Sequence, residues 1–134
     1  MKVLFICKGN VARSQMAPVF FNKLSKKHTA MKAGTQVNEH DGETLHPFVI
    51  KCMAELSYDL SNETRIQLTE EMVEEADKII AICKKEVCPD YLLESDKVEF
   101  WDIPDAVHKD YDFHVKIRDE ILERVKKLVE ELEK

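Results

Sequence analysis

Short apolar runs alternate along this chain with stretches in which apolar residues recur every three or four positions. That alternation predicts βαβ units and a parallel sheet. Val3-Leu4-Phe5-Ile6 reads as a buried first strand. A polar loop follows, then a helix from about Arg13 to Lys27 with Met16, Phe20 and Leu24 in one i,i+4 row. Thr29–Ala33 reads as a second strand closed by Gly34. Pro47 suits the first turn of a helix whose apolar face is predicted as Phe48, Cys52 and Leu56, flanked by Val49 and Met53. Thr69 is the expected N-cap of a helix running through Ala76. Lys78–Ile82 and Lys97–Trp101 read as the third and fourth strands. From about Asp112 a long helix is predicted, with Ile117, Ile121, Val125, Leu128 and Leu132 inward. Glu120/Arg124 and Glu123/Lys127 are expected to pair on its outer side.

Four strands and about five helices predict an α/β fold: a single three-layer domain over residues 1–134, with a four-stranded parallel sheet and helices on both faces. In such sheets ligands bind beyond the carboxyl ends of the strands. Cys7 directly follows the first strand, Gly34-Thr35 the second, Cys83 the third, and Asp102 and Asp105 the fourth. Parallel strands place all of these on one rim.

Composition narrows the function classes. The 134 residues are 44% hydrophobic and 34% charged, with only three glycines and four prolines, a globular balance with one core and no linker or repeat. A net charge of −6 argues against nucleic acid as the main partner. No apolar run approaches the roughly 20 residues that span a bilayer, so no membrane role is expected. Met1–Ile6 is too short for a secretory signal. A cytoplasmic location is therefore expected, with Cys7, Cys52, Cys83 and Cys88 as reduced thiols, in a monomer. No metal site is predicted, because no histidine sits at ligand spacing beside a cysteine pair. The five histidines, His28, His40, His46, His108 and His114, are scattered and form no constellation. Cys52 and Trp101 are expected in the core, and the run Glu70-Glu71…Glu74-Glu75 on a solvated helix face.

The segment Cys7-Lys8-Gly9-Asn10-Val11-Ala12-Arg13-Ser14 is a Cys-x5-Arg-Ser loop between a strand and a helix. Gly9 and Asn10 tolerate positive φ, so the backbone can curl with its N–H groups inward. The following helix adds the positive end of its dipole. A tetrahedral oxyanion fits such a nest, and Arg13 can bind two of its oxygens. The same field favours the Cys7 thiolate, which makes it the predicted nucleophile, and the Ser14 hydroxyl can donate to its sulfur. The competing reading, a structural cysteine with a surface arginine, fits poorly with a position at the mouth of a strand–loop–helix nest.

These eight residues resemble the phosphate loop of the low-molecular-weight protein tyrosine phosphatases and of their relatives, the thioredoxin-coupled arsenate reductases. The resemblance extends through Ala33-Gly34-Thr35, Glu55-Leu56-Ser57-Tyr58-Asp59 and Ala76-Asp77-Lys78-Ile79-Ile80, and so covers nearly the whole chain. It implies a four-stranded parallel sheet flanked by helices, in agreement with the pattern. Three features are similar to the reductases: Gln15-Met16-Ala17 after Ser14, the cysteines Cys83 and Cys88 after the third strand, and Phe100-Trp101-Asp102-Ile103-Pro104-Asp105 as an acid loop.

The resemblance implies Cys7, Arg13 and Asp105 as catalytic residues, with Lys8, Gly9, Asn10, Val11, Ala12, Arg13 and Ser14 around the oxyanion. In a reductase, Cys83 and Cys88 would carry a disulfide relay from Cys7 to an external thiol reductant such as thioredoxin, with no bound cofactor, and the Cys83–Cys88 loop would have to move. The first alternative is a phosphatase acting on phosphotyrosine or aryl phosphates through Cys7, Arg13 and Asp105. The second is a phosphate-binding or redox-sensing module without turnover. The chain departs from the reductases at Pro18, which stands where they carry a Glu tied to potassium, so potassium is not expected. Ala12 replaces a common cysteine, Ala106 follows Asp105 where a proline is usual, and only four residues separate Cys83 from Cys88. Asp102 remains a candidate acid beside Asp105. Asp59 is read either as a brace for the phosphate loop or as part of a local turn.

Overall fold

The structure, a computed structural model, describes residues 1–134. Its elements follow in the order β1 (Lys2–Cys7), α1 (Arg13–Leu24), β2 (Thr29–Gly34), α2 (Pro47–Ala54), α3 (Glu70–Glu75), β3 (Lys78–Ala81), α4 (Asp90–Leu93), β4 (Val98–Phe100) and α5 (Tyr111–Leu132). All strand pairs are parallel and the sheet order is β2-β1-β3-β4. The result is the single α/β domain that the apolar pattern predicts.

β1 is central because both of its faces are apolar, and Val3 through Cys7 are all buried. Successive side chains alternate between the faces. Val3 and Phe5 enter the larger core, with Met16, Phe20 and Phe21 of α1 and Ile117, Ile121 and Val125 of α5. Leu4 and Ile6 enter the smaller one, with Leu68, Val73, Ile79 and Leu92 under α3 and α4. The chain departs from β1 in both directions, to β2 on one side and β3 on the other. A crevice therefore opens beyond their carboxyl ends, where Cys7 and Cys83 lie.

Several element boundaries differ from expectation for identifiable reasons. α1 stops at Leu24, which is 37% exposed, because Glu133 at the end of α5 accepts from the Lys26 and Lys27 N–H groups and the Ser25 hydroxyl. β4 begins only at Val98. Lys97 extends its ammonium onto the carbonyls of Val73, Glu74 and Ala76, the free carbonyl end of α3. α2 buries Val49, Cys52 and Met53, whereas Leu56 is at the surface and Phe48 packs on histidine rings. On α5, Glu123 pairs with Lys126 rather than Lys127, and Arg124 lies over the Trp101 ring at 5.7 Å. Thr69 caps α3 as expected, with Pro47 at the first turn of α2. No helix is long and apolar enough to cross a membrane.

Candidate active site

The loop leaving β1 closes on itself before α1 begins. Asn10 adopts φ 50° and donates its backbone N–H to Cys7 Sγ at 3.2 Å. The Ser14 hydroxyl is 2.9 Å from the same sulfur. Gly9 does not take the positive φ that the sequence allowed it. Its lack of a side chain matters instead because a Cβ would lie 3.2 Å from Arg65 Nη2. No side chain caps α1, and the N–H groups of Gly9, Val11, Ala12, Arg13 and Ser14 donate to no carbonyl. Free amides at the start of a helix, in a loop that curls back onto the Cys7 sulfur, are the makings of an anion-binding nest.

The side chains of this loop line a cleft of about 200 Å³ with Cys7 at its base and Lys8, Gly9, Val11, Ala12 and Arg13 around it. Asn10 and Ser14 are fully buried behind it, so both act through the loop rather than as its exposed wall. Gln36, Arg65, Asp105 and Val107 complete the lining. Arg13 is 8% exposed and donates to the Ile103 carbonyl at 3.1 Å, which orients the fork. Asp105 faces it with 3.6 Å between Arg13 Nη2 and Oδ2, while Asp105 Oδ1 accepts from Val107 N–H at 2.9 Å. Asp102 lines a different cavity, so the geometry selects Asp105 as the carboxylate of the cleft.

Arg65 and Gln36 have no signature in the sequence. Arg65 donates from Nε to the Gly9 carbonyl at 2.9 Å, and Gln36 donates its backbone N–H to the Lys8 carbonyl at 2.9 Å. Both come from segments remote in sequence that fold over the loop.

A second cavity, of about 710 Å³, lies on the other side of Arg13 and is lined by Cys83, Lys84, Trp101 and Asp102 among others. Cys83 and Cys88 are free thiols with sulfurs 3.7 Å apart. A single 3-10 turn, Lys85–Val87, reverses the chain between them, which explains how four intervening residues suffice. Burial, reinforced by the neighbouring Cys88, pushes the Cys83 thiol well above its ordinary pKa. The Cys7 and Arg13 charges both reach it, with opposite effects. Burial also raises Cys88. Cys52 lies fully buried in the larger core, and burial pushes its thiol up to about 11. Trp101 is 5% exposed, packs edge-on against Phe5, and still contributes to the wall of the 710 Å³ cavity.

Four of the five histidines are not scattered, whereas His28 stands apart beside the Met1 amino group. His40, His46, His108 and His114 line a third cavity of about 510 Å³ that shares Val11, Ala12, Arg65 and Val107 with the 200 Å³ cleft. His46 and His114 stack at 5.5 Å, and burial followed by the His114 charge lowers the His46 pKa. Asp59 makes a local turn: its carboxylate accepts from the Ser61 N–H and hydroxyl, which together hold its pKa low. No group of three or more His, Cys, Asp or Glu side chains is arranged to hold a metal.

The profile of the low molecular weight phosphotyrosine protein phosphatases matches residues 2–134. An arsenate reductase of Bacillus cereus is 30% identical over 131 residues, 96% of this chain and 93% of that protein. A low molecular weight protein tyrosine phosphatase from T. tengcongensis superposes with a TM-score of 0.87 at 26% identity, covering 98% of this chain and 99% of the other. An arsenate reductase in the phosphate binding state superposes with a TM-score of 0.82 at 27% identity over 97% of each chain. A nest built on a strand-end cysteine, a profile match over nearly every residue and these superpositions agree: the chain belongs to the low molecular weight phosphotyrosine protein phosphatase family, whose similar members include both phosphatases and arsenate reductases.

Proposed function

We propose that this chain is a thiol-dependent arsenate reductase, acting as a monomer. The carrying observation is the 3.7 Å approach of Cys83 and Cys88 beside the nest that holds Cys7, with Arg13 lining both cavities. Arsenate sits in the ring of free amides with two oxygens on Arg13. Cys7 Sγ attacks arsenic, and the leaving oxygen departs as water with the proton of Asp105. Cys83 Sγ then attacks Cys7 Sγ. The S–As bond breaks, its electron pair stays on arsenic, and arsenite leaves as a Cys7–Cys83 disulfide forms. Cys88 attacks Cys83, returning the Cys7 thiolate and leaving a Cys83–Cys88 disulfide for an external dithiol such as thioredoxin to reduce. The last bond requires the sulfurs to close from 3.7 Å to about 2.05 Å.

A second reading has its own support. The 510 Å³ cavity adjoining the nest offers room for an organic leaving group, which arsenate does not have. An aryl phosphate phosphatase would use Cys7, Arg13 and Asp105 and would not need Cys83 or Cys88. Cys83→Ser and Cys88→Ser variants separate the readings when assayed on arsenate with thioredoxin and on p-nitrophenyl phosphate. The reductase reading expects arsenate turnover to vanish in both while hydrolysis of the aryl phosphate persists. Arsenate turnover that survives both substitutions overturns it. Wild-type protein that binds phosphate but turns over neither substrate is a binding module.

A further inference from the structure

Lys32 stands in the middle of β2, opposite Phe5 of β1, with only 17% of its side chain exposed. Its ammonium donates to Gln15 Oε1 at 2.7 Å and faces Glu63 Oε1 at 3.4 Å. An ammonium group has donors only, so the amide atom it meets must be the oxygen. Gln15, 1% exposed, therefore turns its NH₂ the other way. It meets the Asn10 carbonyl at 3.0 Å, Asn10 Oδ1 at 2.9 Å and the Thr64 carbonyl at 3.0 Å, all acceptors. Asn10 Oδ1 also accepts from Ile66 N–H at 2.9 Å, so Asn10 Nδ2 is left to donate to Ser14 Oγ at 2.6 Å. Cys7 Sγ lies 2.9 Å from Ser14 Oγ, and as a thiolate it can only accept, so the Ser14 hydroxyl then donates to it.

We infer that Lys32 is a positioning residue for the nucleophile: it is the cation at the head of a donor chain Lys32→Gln15→Asn10→Ser14→Cys7 whose last hydrogen bond lands on the sulfur. Each link donates to the next. Reversing Gln15 would set its oxygen against the Asn10 and Thr64 oxygens, and reversing Asn10 would set its NH₂ against the Gln15 NH₂ and the Ile66 N–H; Lys32 supplies the charge at the head of the chain. Chains of this kind polarise along their length, so a permanent cation at the far end strengthens the terminal O–H···S bond. The inference rests on the proposed role of Cys7, and the test keeps the two apart.

The test compares wild type with Lys32→Met, which keeps length and loses the donor, and Lys32→Arg, which restores a cation. Gln15→Glu serves as a second variant. It keeps a partner for Lys32 but presents only acceptors to Asn10. Two readouts are followed across the acid-to-neutral range: alkylation of Cys7 by iodoacetamide, read on the Cys7 peptide by mass spectrometry, and kcat and KM for p-nitrophenyl phosphate. Lys32→Met and Gln15→Glu are expected to slow alkylation about five- to tenfold near neutral pH, the worth of one ordinary hydrogen bond, because the terminal bond is weakened rather than removed. They should also shift the acid limb of the kcat/KM profile to higher pH and lower kcat with little change in KM, and Lys32→Arg should recover both readouts. Folded Lys32→Met with unchanged alkylation and an unchanged pH profile overturns the inference, as does a lower melting temperature with no change in either profile. Lys32-dependent alkylation in a protein that turns over no substrate sustains the donor chain while removing the enzymatic reading.

Discussion

Asp105 faces Arg13 in the cleft of the nest, carboxylate to guanidinium at 3.6 Å. A group in that position can hand a proton to an oxygen leaving the bound anion. Asp105→Asn should lower kcat for p-nitrophenyl phosphate roughly 100- to 10,000-fold, the usual contribution of a positioned general acid. Asp102→Asn, in the neighbouring cavity, should leave kcat close to wild type. Steady-state rates for the two variants settle the assignment, and equal losses would contradict it.

The acidity of Cys83 sets a second expectation. Burial raises its pKa, so near neutral pH it is a thiol, and its reactive thiolate grows as pH rises toward that raised value. In the proposed relay, handover from Cys7 to Cys83 is then expected to limit arsenate turnover. With arsenate and reductant saturating, turnover should climb about tenfold per pH unit through the mildly alkaline range. Hydrolysis of p-nitrophenyl phosphate does not use Cys83 and should lack that climb. Parallel pH profiles for both substrates would show that Cys83 is not on the path.

Gly34 is the tightest backbone approach at the site. A Cβ there would stand 2.6 Å from Val37 Cγ2 and 2.8 Å from both the Asn10 nitrogen and the Lys8 carbonyl oxygen. Gly34→Ala must push the phosphate loop itself, because two of those atoms are backbone. It should destabilise the protein by about 1–3 kcal/mol and weaken inorganic phosphate binding in calorimetry. Gly42, at φ +87° with open space around it, provides the control. Gly42→Ala should cost about 1 kcal/mol in local strain and leave phosphate affinity intact.

Arg118 ties α5 to α2. It is 7% exposed, donates to the Cys52 carbonyl at 2.9 Å, and lies 3.5 Å from Glu55 and 2.8 Å from Asp119. Arg118→Met fills similar space and strips that carbonyl of its donor. Urea denaturation should show a loss of about 1–3 kcal/mol, the penalty for a buried group left without a partner. An unchanged midpoint would mean that solvent already satisfies the carbonyl.

The sheet was legible because its apolar runs are contiguous and carry their own boundaries. Val3–Ile6 could be read as buried on both faces from four letters, and Thr69 announces its helix through local capping chemistry, whereas the Asp110 cap of α5 went unread. The nest was legible for the same reason, since Cys7 to Ser14 are adjacent in sequence. Arg65, Gln36 and Lys32 were not, because each reaches the loop across a tertiary contact that no local spacing encodes. The histidines illustrate the same limit. His40 and His46 lie at the approach to α2, His108 and His114 at the approach to and start of α5, and they meet only when α2 and α5 pack together. The inward face of α2 was misread by one position because Phe48 leaves the core to pack on His46 and His114. Polar choices between equivalent partners, such as Lys126 over Lys127 for Glu123, lie below what pattern can decide.

β1 is hydrogen-bonded on both sides along nearly its whole length, whereas Cys83 and Cys88 flank a single 3-10 turn beyond the four-residue β3. Amide exchange should therefore be slowest under Cys7 and fast around Lys85–Val87. Fluctuations that expose the paired thiols need not disturb the strand that carries Cys7.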